Sequence, residues 1–355
     1  MESLTDLYED GAAAIEEILS DVYHLDVAKA LNPTNRGDFL TIVNRLSRSL
    51  KRATAGDEAK VLRAALKRLD VDWPNLSAAQ RARAVTAATR SLAPLPKAIL
   101  PKVDKVFEVS GTRVVGQTRK AVKRRFRLKI QSATRLVDRR ATRELARSQA
   151  NFITDQLGLR RQNFSAQARR IVSDGLERGL GRKAIAEQLQ SKLTASSLRQ
   201  SKSYWQVIAS SFVNRARTTS SLLSFKEAGL DRYIFEAVLD EATTEVCRFM
   251  HEKTFTVDSG LKRLDSVRGE RDSDKVKAAL PWVRDRKDSK GRDVMAFERE
   301  DGSQQSIGVV QEPGFGEADK IGTYTNTMSD KGLEKNGIQQ PPLHGFCRST
   351  VVPEV

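Results

Sequence analysis

"DRYIFEAVLD", Asp231 to Asp240, is the stretch where the sequence changes texture. Aromatic and β-branched residues gather there, which predicts a strand. Residues 1 to about 230, by contrast, read almost entirely as helix. Downstream, "PWVRDRK", "DVMAFERE" and "SIGVVQE" are further strand signals separated by "DSKG" and "DG" turns, the pattern of a small β-meander. "STVVPEV" reads as the last strand. The predicted fold class is therefore α+β: a mostly α-helical N-terminal body followed by a small C-terminal α/β domain with a β-rich insertion at about 258–340.

Within the helical part, Ser77-Ala-Ala-Gln80 is a capping-box signature opening an alanine-rich helix. "PLPKAILPK", with Pro94, Pro96 and Pro101, breaks the chain and predicts a boundary near residue 95. Three regions follow from this reading: a helical module over 1–95, a basic helical segment over 96–178, and a C-terminal domain over 179–355. Trp205, Ile208, Phe212, Ala216, Thr219 and Leu223 step by three and four along a helix predicted from about Ser196 to Ala228, and that stripe is core. Gly229 suits the residue just past its end. Residues 160–229 as a whole read as three helices. His24, in "DVYHLDV", reads as a half-exposed helix or turn residue.

The chain carries a formal charge of +16 over 355 residues. Such an excess implies a polyanionic partner or an acidic protein surface. It is concentrated in Arg119 to Arg147, where Lys120, Lys123, Arg124, Arg125, Arg127, Lys129, Arg135, Arg139, Arg140 and Arg143 face only Asp138 and Glu144. Val122, Phe126, Ile130, Ala133 and Val137 recur at helical spacing, so one stripe of a single helix can be buried while cations fan out elsewhere. An ordinary solvated face would intersperse acids. These ten side chains are the candidates for non-specific contact with double-stranded DNA through its phosphates, since no aromatic residues interleave to stack on bases. The start lacks the apolar core of a signal peptide and no run is long enough to span a bilayer, so a soluble protein with no membrane partner is expected. There is no phosphate-binding G-x-x-x-x-G-K-[ST] loop and no H-E-x-x-H pair.

The chain has two cysteines and three histidines. One of each lies in "CRFMHEKTF" (Cys247, His251) and one of each in "PPLHGFCRST" (His344, Cys347). Cys247 and His251 are four apart and would share a helix face. Cys-x3-His and His-x2-Cys together can close a structural zinc site. A metal-free polar lock, with Arg348 pairing to Asp240 or Glu241, and a Cys247–Cys347 disulfide are the other readings. In the first two the clusters meet, and the residues between hang off as an insertion.

Asn214-Arg215-Ala216-Arg217-Thr218-Thr219 on a helix, then "FKEAG", a strand, "LDEATTEVCRFMHEKTF", a variable insert and "PPLHGFCRSTVVPEV" resemble the phage Mu F-type head morphogenesis family over about residues 179–355. Members are minor head proteins of tailed phages. The resemblance implies a non-enzymatic protein of the virion, inside the head near the portal, made in the host cytoplasm. Its implied partners are the portal, other head proteins and DNA, and its implied work is packaging, retention or delivery of DNA. In the reading of the clusters as a lock, Asp240, Cys247, His344, Cys347, Arg348 and Arg215 hold the domain together. Many relatives have Cys-x-x-Cys in the first cluster, whereas Thr244 stands here at the first of those positions, so a zinc site needs His251 as a substitute ligand. A distant likeness of the family's fold to ADP-ribosyltransferases gives the alternative: a transferase-like or zinc-dependent enzyme or effector with a basic targeting segment, in which Arg215 is the residue to watch.

Overall fold

A computed structural model describes residues 31–131, 136–268, 270, 272–316 and 321–354. The elements are α1 (Arg36–Leu69), α2 (Ala78–Arg90), α3 (Leu95–Phe126), α4 (Leu136–Glu177), α5 (Arg182–Glu227), β1 (Arg232–Glu236), α6 (Glu245–Met250), β2 (Thr254–Thr256), α7 (Val257–Ser266), α8 (Ser273–Ala279), β3 (Val283–Lys287), β4 (Asp293–Glu298), β5 (Gln304–Glu312), β6 (Thr323–Thr325), α9 (Asp330–Lys335) and β7 (Thr350–Pro353). The fold is α+β, helical first and with both sheets in the C-terminal part. Among the described residues no helix is long and apolar enough to cross a membrane.

Two compact units share the long helices. One holds Ser47–Val106 and Phe152–Gln206, the other Lys29–Leu46, Phe107–Asn151 and Val207–Val355. Neither unit is a continuous stretch of chain. The expected division at 95/96 falls instead in the first turn of α3, and that at 178/179 in the turn between α4 and α5.

The first unit is all helix. Trp73 is fully buried among Phe164, Ile185 and Leu189, and its indole N–H donates to the Leu69 carbonyl at 3.0 Å. The capping box at the start of α2 is present: the Ser77 hydroxyl accepts from the Gln80 backbone, and Gln80 accepts from the Ser77 N–H. The proline-rich stretch interrupts the helices only at its start, where Pro94 lies in the turn between α2 and α3. Pro96 sits in the first turn of α3, where a missing N–H is harmless, and Pro101 lies inside the same helix.

In the second unit, β1 is the centre of a three-stranded antiparallel sheet ordered β2-β1-β7. Tyr233 and Phe235 alternate into the core, opposite Phe255 and Val351. The predicted meander is β3-β4-β5-β6, and Gly291 and Gly302 take positive φ in its two tight turns. It does not hang off as an insertion. Val283, Met295, Phe297 and Ile307 join Tyr233, Phe235, Met250 and Cys347 in one apolar core. A three-stranded sheet with few aromatics cannot cover its own inner face, and the meander supplies the missing side chains.

Two helical expectations are corrected. Residues 160–229 form the end of α4 and the single helix α5, joined by a turn with Gly179 at φ 66°. No proline interrupts 182–227, so the short helix and the third helix are one. Its end is as expected: Gly229 has φ 74°, and the Leu230 N–H reaches back to the Phe225 carbonyl. The basic segment is not one helix either. α3 stops at Phe126, Arg127 has φ 52°, and α4 starts at Leu136.

Candidate functional site

α5 provides one wall of the site. Asn214 and Arg217 are three residues apart and so share a face. The Asn214 amide donates to the Cys347 carbonyl at 2.7 Å. The Arg217 guanidinium donates to the Pro33 carbonyl at 3.0 Å, to the Arg348 carbonyl at 2.6 Å and to the Ser349 carbonyl, while stacking over the Phe39 ring. Burial lowers the pKa of Arg217 to about 10, which still leaves it charged. These bonds satisfy backbone carbonyls of a segment that has no strand partner before Thr350.

α6 provides the opposite wall. Cys247 and Cys347 are both buried, with their sulfurs 3.8 Å apart. His344 Nε2 lies 3.2 Å from the Cys247 sulfur and 3.1 Å from the Thr244 hydroxyl. Burial opposes a charge on Cys347, yet hydrogen bonds with Cys247 and His344 bring its thiol well below the ordinary range. The Cys247 thiol is pushed up, by its hydrogen bond with Cys347 and by burial. The pair therefore favours a single thiolate.

Asp240 closes the outside of the cluster. Its carboxylate takes a two-pronged ion pair from Arg348, with one contact at 2.7 Å, and a second pair from Arg36 at 2.6 Å. The Arg348 hydrogen bond, aided by Thr243, holds its pKa well below the carboxylate range. Arg248, also buried, donates to the Asp240 carbonyl at 2.7 Å and to that of Gly316 at 3.2 Å.

Of the expected ligands, Cys247, His344 and Cys347 lie close enough to hold a metal ion, with donor atoms all within 4.8 Å of one another. A tetrahedral zinc with Zn–S of about 2.3 Å sets two thiolates about 3.8 Å apart, so the sulfur spacing fits. His251 does not join them. α6 ends at Met250, so the four-residue spacing does not place His251 over Cys247, and its Nδ1 instead faces the Ala237 N–H at 3.3 Å. Thr244 does reach the cluster and stands beside His344, where a further ligand would come. Arg215 is absent from the lock as well. One residue along from Asn214 it is turned by about 100°, and it is buried with its pKa lowered to about 10 by desolvation. Asn214 and Arg217 take the role expected of it. Both were part of the quoted motif, but sequence alone does not set the helix phase.

The basic residues divide among three places. Lys120, Lys123, Arg124 and Arg125 lie on the last turns of α3, Arg127 and Lys129 on the connection after it, and Arg139, Arg140 and Arg143 near the start of α4. Arg135 lies outside the described residues, as does His24. All nine are exposed except the half-buried Lys123. Arg125 pairs with Glu236 at 3.0 Å, and Arg143 lies 3.9 Å from Glu108. Arg119 belongs to a different category. It is fully buried, pairs with Glu227 and, at 3.7 Å, with Asp138, and donates to the Gln131 carbonyl at 2.7 Å. It fastens the connection between α3 and α4 instead of offering charge to a partner.

A scan of known protein-family models found no match to this chain, and searches of curated proteins and of solved structures found none either.

Proposed function

We propose that this chain is a structural minor head protein of a tailed phage, acting in head morphogenesis beside the portal and in packaging, retention or delivery of double-stranded DNA. The observation that supports this reading best is the clasp. Asn214, Arg217, Asp240, Cys247, His344, Cys347 and Arg348, all within the stretches that carry the resemblance, converge on one buried cluster that pins the C-terminal strand. Most of its hydrogen bonds end on backbone carbonyls or on each other, an arrangement that holds a domain closed. Electrostatics supports the DNA contact. Cations at the end of α3 complement its dipole, but Arg139 lies in the first turn of α4, at its positive end, where an external phosphate relieves it.

We also propose that Cys247, His344 and Cys347 hold a structural zinc. The ion would tie α6 to the segment before β7 and neutralise the thiolate charge inside the core.

The deciding experiment is duplex binding against salt. If phosphate contacts dominate, log affinity falls linearly with log salt, by about 0.9 for each phosphate neutralised. A flat response sinks the DNA contact.

A further inference from the structure

The helical unit has a groove of about 1240 Å³ along α1, walled by the start of α3 and by parts of α4 and α5. Leu157, Phe164 and Leu189 are buried in its floor, while Leu62, Leu66 and Leu92 stay half-buried and show apolar surface. Two polar anchors hold the walls together. At one, the Glu58 carboxylate accepts from the Thr54 hydroxyl at 3.0 Å, the Trp205 indole at 3.1 Å and Arg160 at 3.0 Å. At the other, Arg182 pairs with Asp70 at 3.0 Å. Glu58 and Asp70 stand about 18 Å apart along the helix, at 1.5 Å per residue.

These anchors use up two of the three acids that line the groove and leave Glu187. Against it stand Lys51, Lys67, Arg161 and Lys183, all exposed lining residues with no acidic partner among the described residues. Arg160 also keeps a buried Nη1 without a hydrogen-bond partner. The free cations come from three helices and serve both ends. Lys67 and Lys183 are within a turn of Asp70 and Arg182 in sequence, Arg161 follows Arg160, and Lys51 is two turns before Glu58. A ligand with one anionic head meets one end only, and nucleic acid has no use for a leucine floor. A helix with acids along both edges meets both ends while its apolar face covers the leucines. A second copy of a chain charged +16 is repelled.

We propose that the groove is the docking site for an acidic amphipathic helix of a partner protein, laid along α1 with apolar side chains on Leu62, Leu66 and Leu92 and carboxylates against Lys51, Lys67, Arg161 and Lys183. It gives the chain a protein partner of opposite charge, recognised without the phosphate chemistry of its DNA contact.

Three synthetic peptides test this on the full chain by fluorescence anisotropy. Each has about 18 residues, the length of the groove. One is a helix with leucines on one face and glutamates elsewhere, the second has lysine for every glutamate, and the third has glutamine for every leucine. The first should bind, and the other two at least about tenfold more weakly. A Lys67→Glu, Lys183→Glu double variant should weaken the first peptide by at least about tenfold. Lys290→Glu, Lys331→Glu, an equal change of charge outside the groove lining, should leave its binding within about twofold. Equal losses in the two double variants, equal binding of the glutamine peptide, or no binding of the first peptide would overturn the proposal. So would binding that falls as the protein is concentrated, which would mean that a second copy fills the groove.

Discussion

The side-chain amide of Asn214 donates to the carbonyl of Cys347 at 2.7 Å, across 133 residues of sequence. With Arg217 it turns one face of α5 into a row of donors for a segment that cannot pair as a strand. Leaving those carbonyls buried without partners carries a large penalty. Arg217→Met should therefore destabilise the protein by about 3 kcal/mol or more, read by chemical denaturation. Arg215→Met should do the opposite or nothing. Burial already disfavours that charge, no acidic partner offsets it among the described residues, and methionine keeps the volume. Equal losses at both positions would contradict the division of roles.

The Asp240–Arg348 pair sets an acid limit. Because the folded carboxyl titrates below its unfolded value near 3.9, its stabilising contribution is fully present above about pH 5 and is lost as the pH falls toward the folded value. The stability gap between wild type and Asp240→Asn should be constant near neutrality and shrink below about pH 4. A gap that widens in acid would reverse the assignment.

Metal content separates the clasp's ligands from its neighbours. Purified protein should carry about one zinc per chain by elemental analysis, the stoichiometry of a single site. Cys347→Ser and His344→Ala should lose it, and His251→Ala should keep it. Wild type without metal would leave a polar lock in place of a zinc site.

Arginines in the basic segment should split into two phenotypes. Arg119→Met breaks a buried network and should lower stability by about 3 kcal/mol with the salt slope of DNA binding unchanged. The exposed pair Arg124→Ala, Arg140→Ala should leave stability within about 0.5 kcal/mol and reduce that slope by about 2. Identical behaviour of both variants would mean that charge in this segment is not used for binding.

Local chemistry made much of this readable in sequence. The capping box at Ser77, the αL glycine at 229, the strand at 232–236 and the glycine turns of the meander each depend on a few adjacent residues. What escaped depends on distant partners. Nothing near Arg119 announces that Glu227 will bury it, and the basic run keeps its helical spacing straight through the break at Arg127. The cysteine clusters were legible as a meeting, because scarce residues were gathered twice. Which side chains meet was not, since one residue's shift at the end of α6 removes His251 and one-third of a turn on α5 exchanges Arg215 for Asn214.

β1 finds its two neighbours at very different times. Tyr233 pairs with Phe255 twenty-two residues on, but with Pro353 only 120 residues on. A growing or refolding chain therefore completes the β1–β2 hairpin and the local meander while the other side of β1 still shows free N–H and C=O groups. During that interval any extended segment nearby competes with residues 350–353 for the same edge.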